Sequence, residues 1–404
     1  MKIIVLGAGV VGISTAFYLA RAGFKVSLLD AESHPASKTS FANGGQLSYS
    51  HVDPLASSTI LARLPKMIFN QDSAFHLGLG NNKHFINWGQ KFLANCNSKN
   101  EKQTIEDLLS MSSLTRKEIK TLNHEFDLDF DYKSTGKLHL YHSLKELNAT
   151  EKKIAVKQTA GVIQERLSKE QCVDILPTLK PYSDNFIGGT FSPGDEVGDA
   201  YKFSQELLRI AQEKYSLELK LNLQVKSFIS ANGKISAIKT NHGLIEADKF
   251  VVCLGVHSPM LLRPIGVKIP IYPMKGYSIT LQAKDAEPMV SVTDAKNKLV
   301  FSKLGNKLRV AGLAHFCGFD LNINPQFVQQ LVNTAQTILP DSADYQDVIH
   351  KWVGLRPMMP NSTPIVGKTK YPNVWLNSGH GMLGWTLSLG SAIRLRDAMI
   401  KDLD

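Results

Sequence analysis

Two kinds of hydrophobic pattern alternate at the start of the chain. KIIVL (2–6) and FKVSLL (24–29) are short, continuous apolar runs with β-branched residues, the profile of strands buried on both faces. Between them, VGISTAFYLARAG carries apolar residues at helical spacing and stops at Gly23, which suits the position just past a helix end. Strand, helix and strand in this order predict a βαβ unit on a parallel sheet.

The pattern then changes. AESHPASKTSFANGGQLSYSHVDP, after Asp30, has neither a helix nor a strand period, and irregular segments of that length are uncommon unless functional. Residues 82–130 and 143–170 read as charged helices, with STGKLHLYHS (134–143) as a strand between them. DEVGDAYKFSQELLRIAQEKY (195–215) predicts a loop and an amphipathic helix capped by Asp199. LELKLNLQVKSFIS, ANGKISAIKT and HGLIEADKFVVCLG alternate as strands, with turn signals at Asn232-Gly233 and His242-Gly243. IPIYPMKGYSITLQA, NKLRVAGLA and NVWLN add strands, while 324–339 and the stretch from about Met382 to Met399 read as helices. Strand-rich and helix-rich pieces interleave, so a second domain is inserted into the first more than once.

Length and composition narrow the picture. A chain of 404 residues exceeds one ordinary core, so two domains are expected. The net charge of +10 comes from basic residues spread along the chain, without a basic tract interleaved with aromatics. No nucleic-acid partner is therefore expected, whereas an anionic cofactor or an anionic membrane surface fits the charge. The four cysteines lie far apart without a C-x-x-C pair, offering neither a zinc site nor a disulfide framework and suiting a reducing compartment. A spanning helix is not expected, since no run of 18 uncharged apolar residues occurs. Lys2 and the apolar run after it resemble a secretory signal, but the glycine spacing inside that run argues for a folded element.

The candidate chemistry begins in GAGVVG, where Gly7, Gly9 and Gly12 form a G-x-G-x-x-G pattern. Gly7 permits a tight turn, Gly9 lets backbone approach a pyrophosphate, and Gly12 lets helix and strand pack closely. Val10 and Val11 open the helix whose N-terminus faces the phosphates. Asp30, 18 residues beyond Gly12, can accept hydrogen bonds from ribose hydroxyls. In the irregular segment, Thr39, Ser40, Asn43 and Gln46 flank Gly44 and Gly45, a combination that admits close approach of a ligand. The fingerprint alone does not separate NAD from FAD.

Four motifs together carry a resemblance: GAGVVG…LLD (7–30), TSFANGGQLS (39–48), VVCLGVHSP…YPMKGYS (251–278), and WVGLRPMMPNSTPIVG…NSGHGMLGWTLSLGS (352–391). In this order they resemble the FAD-dependent amine oxidoreductases of the D-amino-acid oxidase superfamily, and within it the small subunits of bacterial D-amino-acid dehydrogenases. The resemblance implies an α/β fold with a Rossmann-type FAD-binding domain (1–85, 185–265 and 345–404). An interleaved α+β substrate domain, on an antiparallel sheet, would take 86–184 and 266–344. It further implies oxidation of a D-amino acid by hydride transfer from Cα to flavin N5, giving an imino acid and then an oxo acid and ammonia. Electrons would pass to a quinone-type respiratory acceptor, with the protein cytoplasmic or peripheral on the inner membrane's cytoplasmic face. An oxygen-using oxidase, or a dehydrogenase of glycine, sarcosine or a cyclic imino acid, remains an alternative, as does a non-catalytic nucleotide-binding module. No metal is required.

Residue roles follow the same resemblance. Arg356 in WVGLRP would anchor the substrate carboxylate with its planar fork. Tyr277 would close the pocket, and Tyr49 and His51 are further candidates for catalytic parts. Gly379, Gly381, Met382, Leu383 and Gly384 would bring the start of the last helix to the flavin ring. Val225 would meet adenine through its backbone, and Gly255 would let the chain pass the nucleotide. The chain departs from the family at Met359, Asn361 and Ser362, where threonine, aspartate and glycine are usual, and at Tyr49, Ser50 and His51. ARLPKMIFN (62–70) is a candidate membrane contact or a buried helix end.

Overall fold

The computed structural model describes residues 1–63, 75–77, 83–284 and 290–403. The candidate membrane contact at 62–70 lies outside the described residues apart from the turn at its start.

Lys2–Leu6 is the hub of a six-stranded sheet. It pairs in parallel with Lys25–Leu29 on one side and Lys249–Val252 on the other. Glu218–Lys220 extends the first side, and Val374–Ser378 the second, followed by the antiparallel edge Ile365–Lys368. The inner strands are buried along nearly their whole length because the helices Val10–Arg21, Ala200–Tyr215 and Gly384–Lys401 pack together on one face. On the other face, a three-stranded antiparallel unit (Val225–Ala231, Lys234–Thr240, Gly243–Glu246) closes a smaller core with Ile4, Leu6, Phe250 and Val252. Its Asn232-Gly233 hairpin has both residues in the left-handed region, as a tight hairpin turn requires.

The second sheet has nine strands and is mostly antiparallel. Its spine runs Ala343–Met358, Tyr272–Ala283, Lys307–Phe316, Leu299–Leu304, Ser291–Asp294, Lys137–Tyr141, Gly188–Ser192 and Glu165–Ser168, with Phe75–Leu77 beside Lys307–Phe316. Helix Pro325–Ile338 packs Leu331, Ala335 and Ile338 against its core.

Three segments within the ranges expected for the FAD-binding domain pair in this second sheet. Residues 345–358 and 188–192, expected with the FAD-binding domain, are strands of the nine-stranded sheet, as are 75–77. Ala343–Met358 is the edge of that sheet, paired antiparallel with Tyr272–Ala283, and is buried at only a minority of its positions, unlike the inner strands of the parallel sheet. Within 143–170, Leu144–Gln158 is helical but Glu165–Ser168 is a strand. The 82–130 stretch is two helices, Lys83–Asn95 and Ser98–Phe126, the second started by the Asn97 side chain.

Candidate functional site

A cavity of about 1500 Å³ lies between the two sheets. It exceeds the range of roughly 300–1,000 Å³ usual for one small ligand, so it has room for a dinucleotide and a substrate.

The first wall is the glycine turn after Lys2–Leu6, with Gly7, Gly9, Val10 and Val11 lining the cavity. Gly7 has φ +102°, and a Cβ there would lie 2.7 Å from the Cys253 carbonyl oxygen. Gly12 is outside the lining; its absent Cβ would sit 1.7 Å from the Gly7 carbonyl oxygen, so it lets the helix close onto the turn. Asp30 Oδ2 accepts the Ala8 N–H at 2.5 Å and Oδ1 the Glu32 N–H at 2.9 Å, so this carboxylate shapes the turn while lining the cavity. Val225 and Gly255, the latter with φ +53°, line the same end.

The second wall is the segment 39–48, fixed to the large sheet by its own carbonyls. Ser278 Oγ donates to the Ala42 carbonyl (2.6 Å), Arg309 Nη1 to Asn43 (2.9 Å) and Ser302 Oγ to Gly44 (2.7 Å). Thr39 Oγ1 donates to the Leu355 carbonyl, and Gln46 is held between Val292 and Thr293. A Cβ on Gly44 would lie 2.8 Å from Val300 Cγ2, so a side chain there would push this segment off the strands or shift Val300. Thr39, Ser40, Asn43, Gly44, Gly45 and Gln46 all line the cavity.

Gly379, Gly381, Met382, Leu383 and Gly384 form the third wall. Gly379 (φ +90°) and Gly381 (φ +57°) are left-handed. Buried His380 bonds Ser391 Oγ at 3.0 Å, and burial pushes its pKa down to about 3, so the ring is neutral at pH 7. Helices Val10–Arg21 and Gly384–Lys401, which open on the cavity, have no cap from their own N-cap side chain. Five other helices are capped by Asn97, Ser143, Ser168, Asp199 and Asn324. Val10 N–H donates instead to Ser40 Oγ at 3.0 Å, a hydroxyl from the 39–48 segment, so the first helix start is tied to the second wall; a helix N-terminus is the end that attracts an anionic or electron-rich ligand. With the glycine cradles, the two helix starts fit a dinucleotide cofactor along the whole cavity.

Arg356 marks another pole. It stands opposite Met274 in the strand pair, and the absent side chain of Gly276 makes its room: a Cβ there would be 2.3 Å from Arg356 Nη2. Nη1 donates to the Leu313 carbonyl at 3.0 Å, and no carboxylate pairs with the guanidinium among the described residues. Burial lowers its pKa to about 10, so it remains charged at pH 7. Tyr277 lines the cavity nearby, its ring 5.3 Å from Lys275 Nζ.

Of the remaining candidates, Tyr49 stands apart from the others. It does not line the cavity; its hydroxyl donates to Glu196 Oε2 at 2.9 Å and its ring joins the core of the first sheet. The segment turns its Tyr49 side chain away because Ser48 and Ser50 are held on either side, by Thr386 and by Asp195. His51 reaches the cavity, but its ring is engaged: Nδ1 faces Asp195 Oδ2 at 3.1 Å and Gln164 Nε2 donates to Nε2 at 3.0 Å. Burial and then Lys137 push its pKa down to about 4. Lys137 itself, absent from the sequence reading, lines the cavity and donates to Ser48 Oγ at 2.9 Å; burial pulls its pKa down to about 8. It opens a strand, and nothing in its local sequence signals a buried ammonium. At the family departure, Ser362 adopts φ +62°, the conformation for which glycine is the usual residue, and its Oγ accepts the Leu55 N–H.

Comparison with known proteins agrees with this geometry. The family described as DAO, FAD dependent oxidoreductase, matches residues 2–398. The chain is 37% identical to a D-amino acid dehydrogenase of Dechloromonas aromatica (strain RCB), covering 98% of this chain and 96% of that protein. It is 36% identical to one from Paramagnetospirillum magneticum (strain ATCC 700264 / AMB-1), covering 97% and 93%. Among solved structures, glycine oxidase from Geobacillus kaustophilus superposes with TM-score 0.78 at 18% identity, covering 99% of this chain and 95% of that one. L-Proline dehydrogenase from P. horikoshii superposes with TM-score 0.76 at 19% identity, covering 99% and 93%. With the two glycine-framed helix starts and the family match over nearly its whole length, the chain belongs to the DAO family of FAD dependent oxidoreductases.

Proposed function

We propose that the protein oxidatively deaminates D-amino acids to imino acids, which hydrolyse to oxo acids and ammonia, and that the electrons go to a quinone-type acceptor. The observation that carries the substrate reading is Arg356, a desolvated cation on the cavity wall with no protein carboxylate to neutralise it. Such a cation calls for an anionic ligand, and a planar fork suits a substrate carboxylate. The relatives at 36–37% identity, named as D-amino acid dehydrogenases, support the choice of amino acid.

FAD, when bound, supplies the two-electron acceptor for the Cα–H bond. The Gly7–Gly12 turn and the 39–48 segment would hold it along the cavity, with the 379–384 turn against the ring. Arg356 fixes the carboxylate at two oxygens, which restricts rotation of Cα and sets which face it presents. Met274, Leu313 and Tyr277 line the cavity near it, and these low-polarity walls favour the neutral amine over its ammonium form. Neutral His380 holds the 379–384 turn through Ser391. The division into an FAD-binding and a substrate domain stays our proposal, with the strand reassignments above. Attachment at the cytoplasmic face of the inner membrane would be peripheral: no helix among the described residues is long and apolar enough to cross, and the +10 charge favours an anionic surface.

Purified holoprotein mixed anaerobically with a panel of D- and L-amino acids tests the reading. Bleaching of the flavin absorption by D-isomers, followed by faster reoxidation with a quinone analogue than with air, is expected. Reduction by glycine or proline alone, or preferential reoxidation by oxygen, would replace it with the oxidase reading.

A further inference from the structure

Residues 317–324 run from the end of strand Lys307–Phe316 to helix Pro325–Ile338 without regular structure, as a strap across the cavity rim. Phe319, Leu321 and Ile323 are 44%, 50% and 42% exposed, and Leu321 and Ile323 line the cavity. Phe319 stacks on His257 with ring centroids 5.6 Å apart, while Leu321 and Ile323 stand at the cavity rim, where apolar surface left open to solvent marks a contact site for a ligand.

Lys275 holds this strap. It is 2% exposed, next in sequence to Met274, which stands opposite Arg356. Its ammonium donates to Asp320 Oδ2 at 2.8 Å and to the Asn322 carbonyl oxygen, while Asp320 Oδ1 accepts the Asn322 N–H at 3.0 Å. Leu321 lies between these two latch points, so its backbone is fixed on both sides. Burial works against the Lys275 charge, but Asp320 and Tyr277 outweigh it and hold the pKa above the ordinary ammonium range. Lys275 is buried but Asp320 is 41% exposed, and a pair open to solvent on one side adds little stability, so its effect is on arrangement. Here the arrangement is a wall: Leu321 and Ile323 face a chamber whose other sides include Leu55, Ile60, Met274 and Ala314. The acidic lining residues among those described are Asp30 and Glu32, at the glycine-turn end. Asp320 is outside the lining and its carboxylate is already paired with Lys275, so a cationic side chain would find no unpaired counter-charge on this wall.

We infer that Lys275 is a positioning residue that, through Asp320 and Asn322, seats Leu321 and Ile323 over the chamber and so selects amino acids with uncharged, apolar side chains. The inference rests on the carboxylate anchor assigned above to Arg356.

The test uses holoprotein and three probes: acetate, butanoate and hexanoate, followed by perturbation of the flavin spectrum. Affinity should rise about fourfold for each methylene that enters the chamber. Leu321→Asp should erase most of that rise, weakening hexanoate at least tenfold and acetate less than twofold. Asp320→Asn, at a partner 41% exposed and so not critical for folding, should weaken hexanoate several-fold in the same selective way. In turnover, both variants should raise KM for D-leucine and D-methionine more than they lower kcat, and Leu321→Asp should shift preference toward D-lysine. Loss of all three carboxylates by one common factor, or no change, overturns the strap. Acetate binding without a chain-length rise in the wild-type protein overturns the strap and spares the anchor. Absence of acetate binding overturns both.

Discussion

The two ends of the cavity are built by opposite means. At the nucleotide end the work is done by backbone: glycines remove side chains so that a turn, a helix start and a strand can meet within van der Waals distance. At the Arg356 end the work is done by side chains carried on strands far apart in sequence, with Arg356 on Ala343–Met358, Lys275 on Tyr272–Ala283 and Asp320 beyond Lys307–Phe316. A backbone site is intolerant of any added atom but holds almost no buried charge. A side-chain site tolerates substitution without collapse, but each change removes a specific electrostatic function. Mutations should therefore separate the ends by kind as well as by size.

The largest effect is expected at Gly12. A valine there would drive Cβ into the Gly7 carbonyl oxygen, a backbone atom that cannot rotate away. Gly12→Val should cost more than about 4 kcal/mol and yield protein without flavin absorption at 450 nm, since overpacking against fixed backbone belongs to the severe class. A yellow, folded Gly12→Val protein would show that the turn is not the cradle described.

Arg356 should break the other way. Arg356→Met is expected to lower kcat/KM about 10²–10³-fold, the range of roughly 3–4 kcal/mol for removing one partner of a desolvated charge pair. FAD content should stay near that of the parent, because the cradles are separate. Arg356→Lys should recover part of the loss but not the bidentate geometry. Substrate kinetics unchanged in either variant would remove the anchor role.

Buried histidines around the cavity add a pH dependence that spans both ends. His51 and His315 are pushed down to about 4 and His380 to about 3, in each case chiefly by burial. The unfolded chain, with histidines near 6.5, binds protons in a range where the folded protein does not. Their contribution is therefore complete above pH 6.5 and is lost as pH falls toward 4, at roughly 1 kcal/mol per pH unit for each. The melting temperature should fall steeply across that window, and His380→Asn should make the fall shallower. A melting temperature flat from pH 6.5 to 4.5 would contradict the buried, neutral rings.

The same contrast explains what could be read from the sequence. Gly7, Gly12 and Asp30 act on residues near them in the chain, so their spacing alone announces a βαβ turn. The 39–48 segment shows its glycines and hydroxyls, but not that Ser278, Ser302 and Arg309 would pin its carbonyls from the large sheet. Tyr49 and His51 were indistinguishable as loop residues; only the tertiary fold turns one to Glu196 and brings the other to the cavity. Lys137, Lys275 and Asp320 had no sequence signal, because a buried lysine is defined by its distant partners. That 343–358 joins the large sheet was unreadable for a related reason: its partner strand, Tyr272–Ala283, lies some seventy residues away.

The smallest effect proposed lies where the two building methods meet. Ser278 belongs to the side-chain sheet, yet its hydroxyl donates at 2.6 Å to the Ala42 carbonyl, inside the backbone-built segment. Ser278→Ala leaves that buried carbonyl without this donor, and the removed hydroxyl is too small for its loss to open a sizeable cavity. A cost of about 1–2 kcal/mol is expected for the unsatisfied acceptor. If the pin acts only on the fold, the melting temperature falls by a few degrees and FAD affinity is unchanged. If, as the cavity lining by Asn43, Gly44 and Gly45 indicates, the pinned backbone is part of the cradle, FAD affinity should also weaken by about fivefold or more, measured by flavin release on dilution. Ser278→Thr, which keeps the donor, should restore affinity more than stability, since its extra methyl must fit a buried position. Equal loss of FAD affinity in the alanine and threonine variants would mean that steric fit rather than the hydrogen bond joins the two ends.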